Sequence, residues 1–89
     1  MVPITLFNAQ SKILMMFWVN LDTVTTIWKL HHEDCRYCKP EETPNKGVNT
    51  MKRHGGWFQF ETTSEAHLFY RQGGKNQIWQ PCKVCSPVE

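Results

Sequence analysis

Eighty-nine residues, 40% hydrophobic and 20% charged, are too apolar for full disorder and too polar for a membrane-embedded chain, and they allow one small domain over 1–89. Ten Lys and Arg against eight Asp and Glu give a formal charge of +2, a mild bias that excludes a histone-like polybasic character. A core this small commonly needs a covalent or metal staple, and the sequence holds four cysteines to supply one.

Residues 1–12 carry weak signals and are expected to be disordered, with Pro3 arguing against a strand. Ile13–Val19 is a continuous apolar run that suits a buried strand or a short core helix, and its length favours the strand. It is shorter than the ~20 apolar residues a bilayer requires. No basic residue precedes Lys12 and no small-residue cleavage site follows the run, so a secretory signal is not expected. These features lead us to expect a cytoplasmic, soluble protein with no membrane partner. Residues 1–20 also read as an ill-defined leader, with Met15 or Met16 as alternative starts.

Thr23–His31 is rich in β-branched and aromatic residues and is expected to be one strand leading to Cys35. It places Val24, Thr26, Trp28 and Leu30 on one face and Thr25, Ile27 and Lys29 on the other. Glu41–Arg53 is polar, holds Pro44, Asn45, Gly47 and Asn49, and reads as an extended loop. Gly55-Gly56 is expected to form a tight turn before a strand over 57–61, with Phe58 and Phe60 on one face. Thr62 with Glu65 three positions on is a capping box opening a helix over 64–72. Ala66, Phe69 and Tyr70 form its core stripe, His67 is expected to be exposed beside Arg71, and Gly73-Gly74 is expected to end it in a left-handed cap.

The chemistry lies in Cys35-x-x-Cys38 and Cys82-x-x-Cys85, with 43 residues between them. Each pair presents two thiolates at a turn, and two such knuckles complete a tetrahedral four-thiolate zinc site. The long spacing implies a small β-and-helix unit between the knuckles. The expected fold is therefore α+β: a few antiparallel strands and one helix, closed by metal over residues 35–85. Iron suits four thiolates as well but is the lesser expectation. Three other readings compete. Two disulfides disagree with a reducing compartment. A thioredoxin-like redox pair wants a helix after its cysteines, whereas Pro40 and Pro87 follow here. In the third, His31 or His32 replaces one cysteine, since His31-x-x-x-Cys35 has a usable spacing. Zinc with four thiolates lowers the formal charge from +2 to zero, and zinc with three thiolates and one histidine lowers it to +1.

Residues 58–87 resemble the C-terminal half of the zinc-binding domain of the Ada DNA-repair family and its shorter Ada-like zinc modules. The shared elements are Phe60-x-Thr62-x-x-Glu65-Ala66, a glycine-ended helix, and Pro81-Cys82-Lys83-x-Cys85-x-Pro87. Val24-Thr25-Thr26-Ile27 leading into Cys35, and His31-x-x-x-Cys35, echo the first half. The resemblance implies a zinc site and, in its furthest extension, a methyl-acceptor cysteine at Cys35. The first knuckle is one residue shorter than in Ada and the 41–53 loop is longer. The methyl-acceptor role accordingly ranks behind zinc-stabilised binding.

Lys52 and Arg53 before the glycine pair, Arg71 and Lys75 at the helix end, and Lys83 in the second knuckle are the candidate nucleic-acid contacts. Tyr37 and Trp57 are candidate stacking residues. Nucleic-acid binding is thus the first functional expectation. The second is a protein-interaction or structural module, including a homodimer through Ile13–Val19. No nucleophile triad, phosphate loop or His-Glu-x-x-His motif is present, so an enzyme is not expected.

Overall fold

The computed structural model describes residues 16–85. The expectations for 1–12, for Ile13–Met15 and for Ser86–Glu89 lie outside those residues. Strand β1, Phe17–Asp22, and strand β2, Ile27–His32, form an antiparallel hairpin with Asp22 opposite Ile27. The strand expected from Thr23 therefore starts at Ile27. One Asp22 carboxylate oxygen accepts from the amides of Val24 and Thr25 at 2.9 and 3.3 Å, and Thr26 takes φ 62°. This local capture makes a turn of four residues that are β-formers only by propensity. Val24 is 68% exposed there, whereas Trp28 and Leu30 face the core as expected.

The 41–53 segment is mostly loop, but it carries a two-residue strand, β3, Gly47–Val48. The Lys52 ammonium ties the loop to the Glu42 carboxylate at 2.8 Å and to the Thr43 carbonyl at 2.9 Å. Asn49, at φ 56°, accepts from the Gln59 amide through its side chain. The glycine pair is not the turn. Lys52 and Gly55 close the turn by exchanging backbone hydrogen bonds, and both glycines belong to strand β4, Gly55–Phe60. Gly55 sits at φ 120°, and a Cβ there would lie 1.9 Å from the Leu21 carbonyl oxygen. The pair is required for close approach to β1, not for chain reversal.

Helix α1 runs Thr63–Gly73. The Thr62 hydroxyl accepts from the Glu65 amide at 3.1 Å, as a capping box demands. The Glu65 carboxylate reaches one residue further back than expected, to the Glu61 amide. Ala66 is fully buried, and Phe69 packs its ring 5.0–5.2 Å from Trp28, Phe58 and Phe60. His67 is half-buried, edge-on to Trp79 at 4.9 Å, so the exposed position expected for it is corrected. Gly74 ends the helix at φ −97°, outside the left-handed region, and the left-handed residue is Asn76 at φ 66°.

Strand β5, Ile78–Pro81, completes a sheet ordered β3-β4-β1-β2-β5. The fold is α+β as expected, but the sheet is mixed. β1 is antiparallel to β2 and β4, while β5 runs parallel to β2 and β3 parallel to β4. The helix accounts for the direction of β5, because it carries the chain back along the sheet after β4 and so β5 starts in the direction of β4.

Val19, Leu21, Trp28, Leu30 and Ala66 make the core between sheet and helix. Burying a Val or Leu side chain stabilises by about 1.5–3 kcal/mol. Strand alternation puts Trp18, Lys29, His31 and Trp57 on the opposite face. There a second buried cluster forms from Cys35, Cys38, Trp57 and Cys82, flanked by Trp18 and Cys85. Phe17–Val19 lie in the central strand, with both of its edges paired, so these residues offer no free edge to a second subunit. Among the described residues no helix is long and apolar enough to cross a membrane.

Candidate metal centre

The parallel pairing of β2 and β5 assembles the site. Leu30 stands opposite Pro81, so both strands end at the same edge of the domain and deliver their knuckles side by side. The Cys82 amide donates to the Leu30 carbonyl at 2.8 Å, continuing the ladder into the second knuckle. In the first knuckle the Cys35 amide bonds the His32 carbonyl and the Cys38 amide bonds the Cys35 carbonyl at 2.8 Å, a tight turn. The two halves are stitched by the His32 amide, which donates to the Cys85 sulfur at 3.3 Å. The Val84 and Cys85 amides bond the Cys82 sulfur, the arrangement that stabilises a metal-bound thiolate at a knuckle.

His31, Cys35, Cys82 and Cys85 each place one ligand atom within 4.8 Å of those of the others. The Cys35 and Cys82 sulfurs are 3.9 Å apart. Two thiolates bound to one tetrahedral zinc at ~2.3 Å stand about 3.8 Å apart, so this spacing fits a shared ion. It is far too long for a disulfide, and all four cysteines are free thiols.

His31 is the donor that the four-cysteine expectation left as an alternative. It lies two residues after Lys29 on the non-helical face of β2, only 2% exposed, with its ring 5.8 Å from that of Trp57. Burial, reinforced by the Lys29 charge, pushes its pKa down to about 4, so the imidazole is neutral with a lone pair available. Its Nδ1 is buried and has no hydrogen-bond partner among the described residues. A bound cation would give this ring an interaction that repays burying it. The signal in the sequence was the His31-x-x-x-Cys35 spacing together with strand alternation.

Cys38 is buried with the cluster but is not among the four converging donors. Burial, then the charges of Cys35, Cys85, Glu33 and Asp34, push its thiol up to about 12. Burial also takes Cys85 up to about 11, against the opposing bond from the His32 amide. Cys82 behaves differently: burial would raise it, but the Cys85 and Val84 amides and the neighbouring thiols bring it below the ordinary thiol range. Crowded thiols that resist ionisation together suit a divalent cation, which replaces their protons with a shared positive charge.

The candidate nucleic-acid contacts do not form one surface. Lys52 is engaged by Glu42 and Thr43. Arg53 is exposed in the turn before β4, at the end of the sheet that holds the β1–β2 turn, where the Thr23 hydroxyl donates to its carbonyl. Arg71 and Lys75 are exposed near the C-terminus of α1, at that same end. Lys83 stands at the opposite end, in the second knuckle. Of the candidate stacking residues, Tyr37 is 56% exposed, while Trp57 is buried against the cysteines with the Lys46 ammonium 5.6 Å from its ring centroid.

The chain matches no family model, no curated protein and no solved structure.

Proposed function

We propose that the chain is a zinc-binding domain in which His31, Cys35, Cys82 and Cys85 hold one structural Zn²⁺, and that the domain so organised binds nucleic acid. The observation that carries the reading is the convergence of those four donors within 4.8 Å. A mixed nitrogen and sulfur set favours zinc over an iron centre of four thiolates. Four protein ligands leave no open position for water or substrate, so the metal's work is mechanical. It ties the end of β5 to the end of β2 and builds the second core that the small chain needs. Metal analysis of the purified protein should find about one zinc per chain, and three thiolate-to-metal contacts should appear on cobalt substitution.

The nucleic-acid half of the reading is supported by cations at both ends of the sheet, Arg53, Arg71 and Lys75 at one and Lys83 at the other. Salt-dependent retention on nucleic acid tests it. Each phosphate contact removed by substitution should reduce the salt slope by about one. A protein-interaction module is the second reading. It is favoured by β5, an edge strand with Ile78 53% exposed. Retention that is indifferent to salt, together with a concentration-dependent dimer in sedimentation, would favour that alternative.

A further inference from the structure

Helix α1 covers the sheet as far as Gly73, and where that residue lacks a side chain the core stays open. Outside the helix itself, a Cβ built on Gly73 would meet only the Trp28 ring edge, at 3.5 Å. The gap is an apolar hollow of about 310 Å³ at the end of the domain opposite the knuckles. Leu21, Trp28 and Phe58 of the sheet line it from one side, Phe69 and Gly73 of the helix from the other, and Met51 of the 41–53 loop at its rim. Met51 is 50% exposed, so the hollow opens to solvent. Its volume lies at the low end of small-molecule sites, which run from about 300 to 1,000 Å³.

Two observations define what suits it. The first is one oriented polar group in the wall. Gln77 Oε1 accepts from Trp28 Nε1, and because an indole N–H only donates, the Gln77 NH₂ is left as a donor at the hollow. The Tyr70 hydroxyl donates to the Gln77 carbonyl and fixes the backbone there. The second is a cationic mouth. Lys75 stands between Gly73 and Gln77, both of which line the hollow, and Arg71 lies two residues before Gly73. The Arg53 carbonyl accepts from the hydroxyl of Thr23, another lining residue. All three cations are exposed, and the ion pair among the described residues is Lys52–Glu42, so no carboxylate there neutralises them. Asp22, beside Thr23, alternates to the opposite face of β1 and is bonded to the Val24 and Thr25 amides. The carbonyls ending α1 oppose an anion with about half a charge, which three full cations exceed.

We propose that this hollow binds a small amphiphilic anion, a carboxylate with a hydrocarbon body and roughly ten heavy atoms. The body lies against Trp28, Phe58 and Phe69, and the carboxylate sits at the mouth, accepting from Gln77 and facing Lys75, Arg71 and Arg53. The site is separate from the zinc centre and goes beyond the nucleic-acid reading. A nucleobase does not suit it, because walls this apolar would leave the polar edge of a base unpaired.

The test uses the full zinc-loaded chain and four probes: octanoate, octanol, octylammonium and acetate. Calorimetry gives affinities for wild type, Gly73→Leu, Lys75→Gln and, as a control in the first knuckle, Lys39→Gln. Zinc content and circular dichroism verify that each variant is folded. Octanoate should bind about tenfold more tightly than octanol, octylammonium more weakly still, and acetate not at all. The Gly73 and Gln77 amide resonances should move with octanoate. Gly73→Leu, which fills the hollow, should abolish binding, Lys75→Gln should weaken it about threefold, and Lys39→Gln should leave it unchanged. Octanol or octylammonium matching octanoate overturns the anion assignment. Octanoate that binds Gly73→Leu as tightly as wild type overturns the location. Absence of octanoate binding to wild type overturns the proposal. A concentration-dependent dimer that Gly73→Leu dissolves would then assign the hollow to a second copy, and binding that emerges only in Phe7→Ser would assign it to the chain's own N-terminal residues.

Discussion

If His31, Cys35, Cys82 and Cys85 are the ligands, the two cysteines of similar burial, Cys82 and Cys38, must differ sharply in what they contribute to metal binding. Structural zinc sites in small domains bind with about 10–16 kcal/mol at neutral pH, so each of four donors accounts for about 2.5–4 kcal/mol. Removing Cys82, whose sulfur is 3.9 Å from that of Cys35 and takes bonds from the Val84 and Cys85 amides, should cost about 10²–10³ in zinc affinity. Removing Cys38 takes away a buried thiol outside the converging set, a packing loss of about 1 kcal/mol. The assay is competition for zinc against a chelator of known affinity, applied to Cys82→Ala, Cys38→Ala and His31→Ala. It is paired with the thiolate charge-transfer band of the cobalt-substituted proteins. Cys82→Ala should lose about a third of that band and Cys38→Ala none. The reasoning is refuted if Cys38→Ala weakens zinc as much as Cys82→Ala and removes a quarter of the band, while His31→Ala changes neither.

Four further outcomes follow from the same geometry. Chelation of the reduced protein should abolish its helical circular dichroism, because ~10 kcal/mol of metal binding matches the whole stability expected of a domain this size. Full retention of the signal would make the metal dispensable. Acid should release the metal, because protons compete with zinc for the His31 imidazole and the three thiolates. Zinc occupancy should be full at pH 7.5 and fall as the pH is lowered, read with a zinc indicator, and occupancy unchanged at pH 4 would contradict the ligand set. Leu30→Ala should destabilise by about 2–5 kcal/mol in chemical denaturation, because the side chain is fully buried. Gly55→Ala should give no soluble folded protein, since its Cβ would collide with the Leu21 carbonyl at 1.9 Å; a folded variant with wild-type melting would contradict that contact.

The helix was legible because its signals are local. Thr62, Glu65 and the Ala66-Phe69-Tyr70 stripe lie within a few turns of chain, and the cap bonds form as the spacing demands. The β4 alternation was legible for the same reason, Phe58 and Phe60 both reaching Phe69. The start of β2 was not. Val24-Thr25-Thr26 has strand propensity, but Asp22 offers the backbone a competing set of hydrogen bonds at short range. Gly55-Gly56 was misread because a glycine pair marks either a turn or a close backbone approach, and only the position of Leu21 across the sheet distinguishes them.

By itself the sequence determined the α+β class, the capped helix, and two cysteine pairs held far apart along the chain. It also offered both the four-cysteine and the three-cysteine, one-histidine arrangements, because ligand chemistry is written in residue types. Tertiary structure decided which donors meet. The crossover helix sets β5 parallel to β2, and that pairing alone brings Cys82 and Cys85 beside Cys35. The alternation of β2 then turns His31 toward them, and Cys38, in the turn beyond the strand, stays outside the converging group. The charged residues followed the same rule. Their number was fixed by composition, but the sheet separates Arg53, Arg71 and Lys75 from Lys83. Distances across a sheet depend on strand order and register, which no local run of residues encodes.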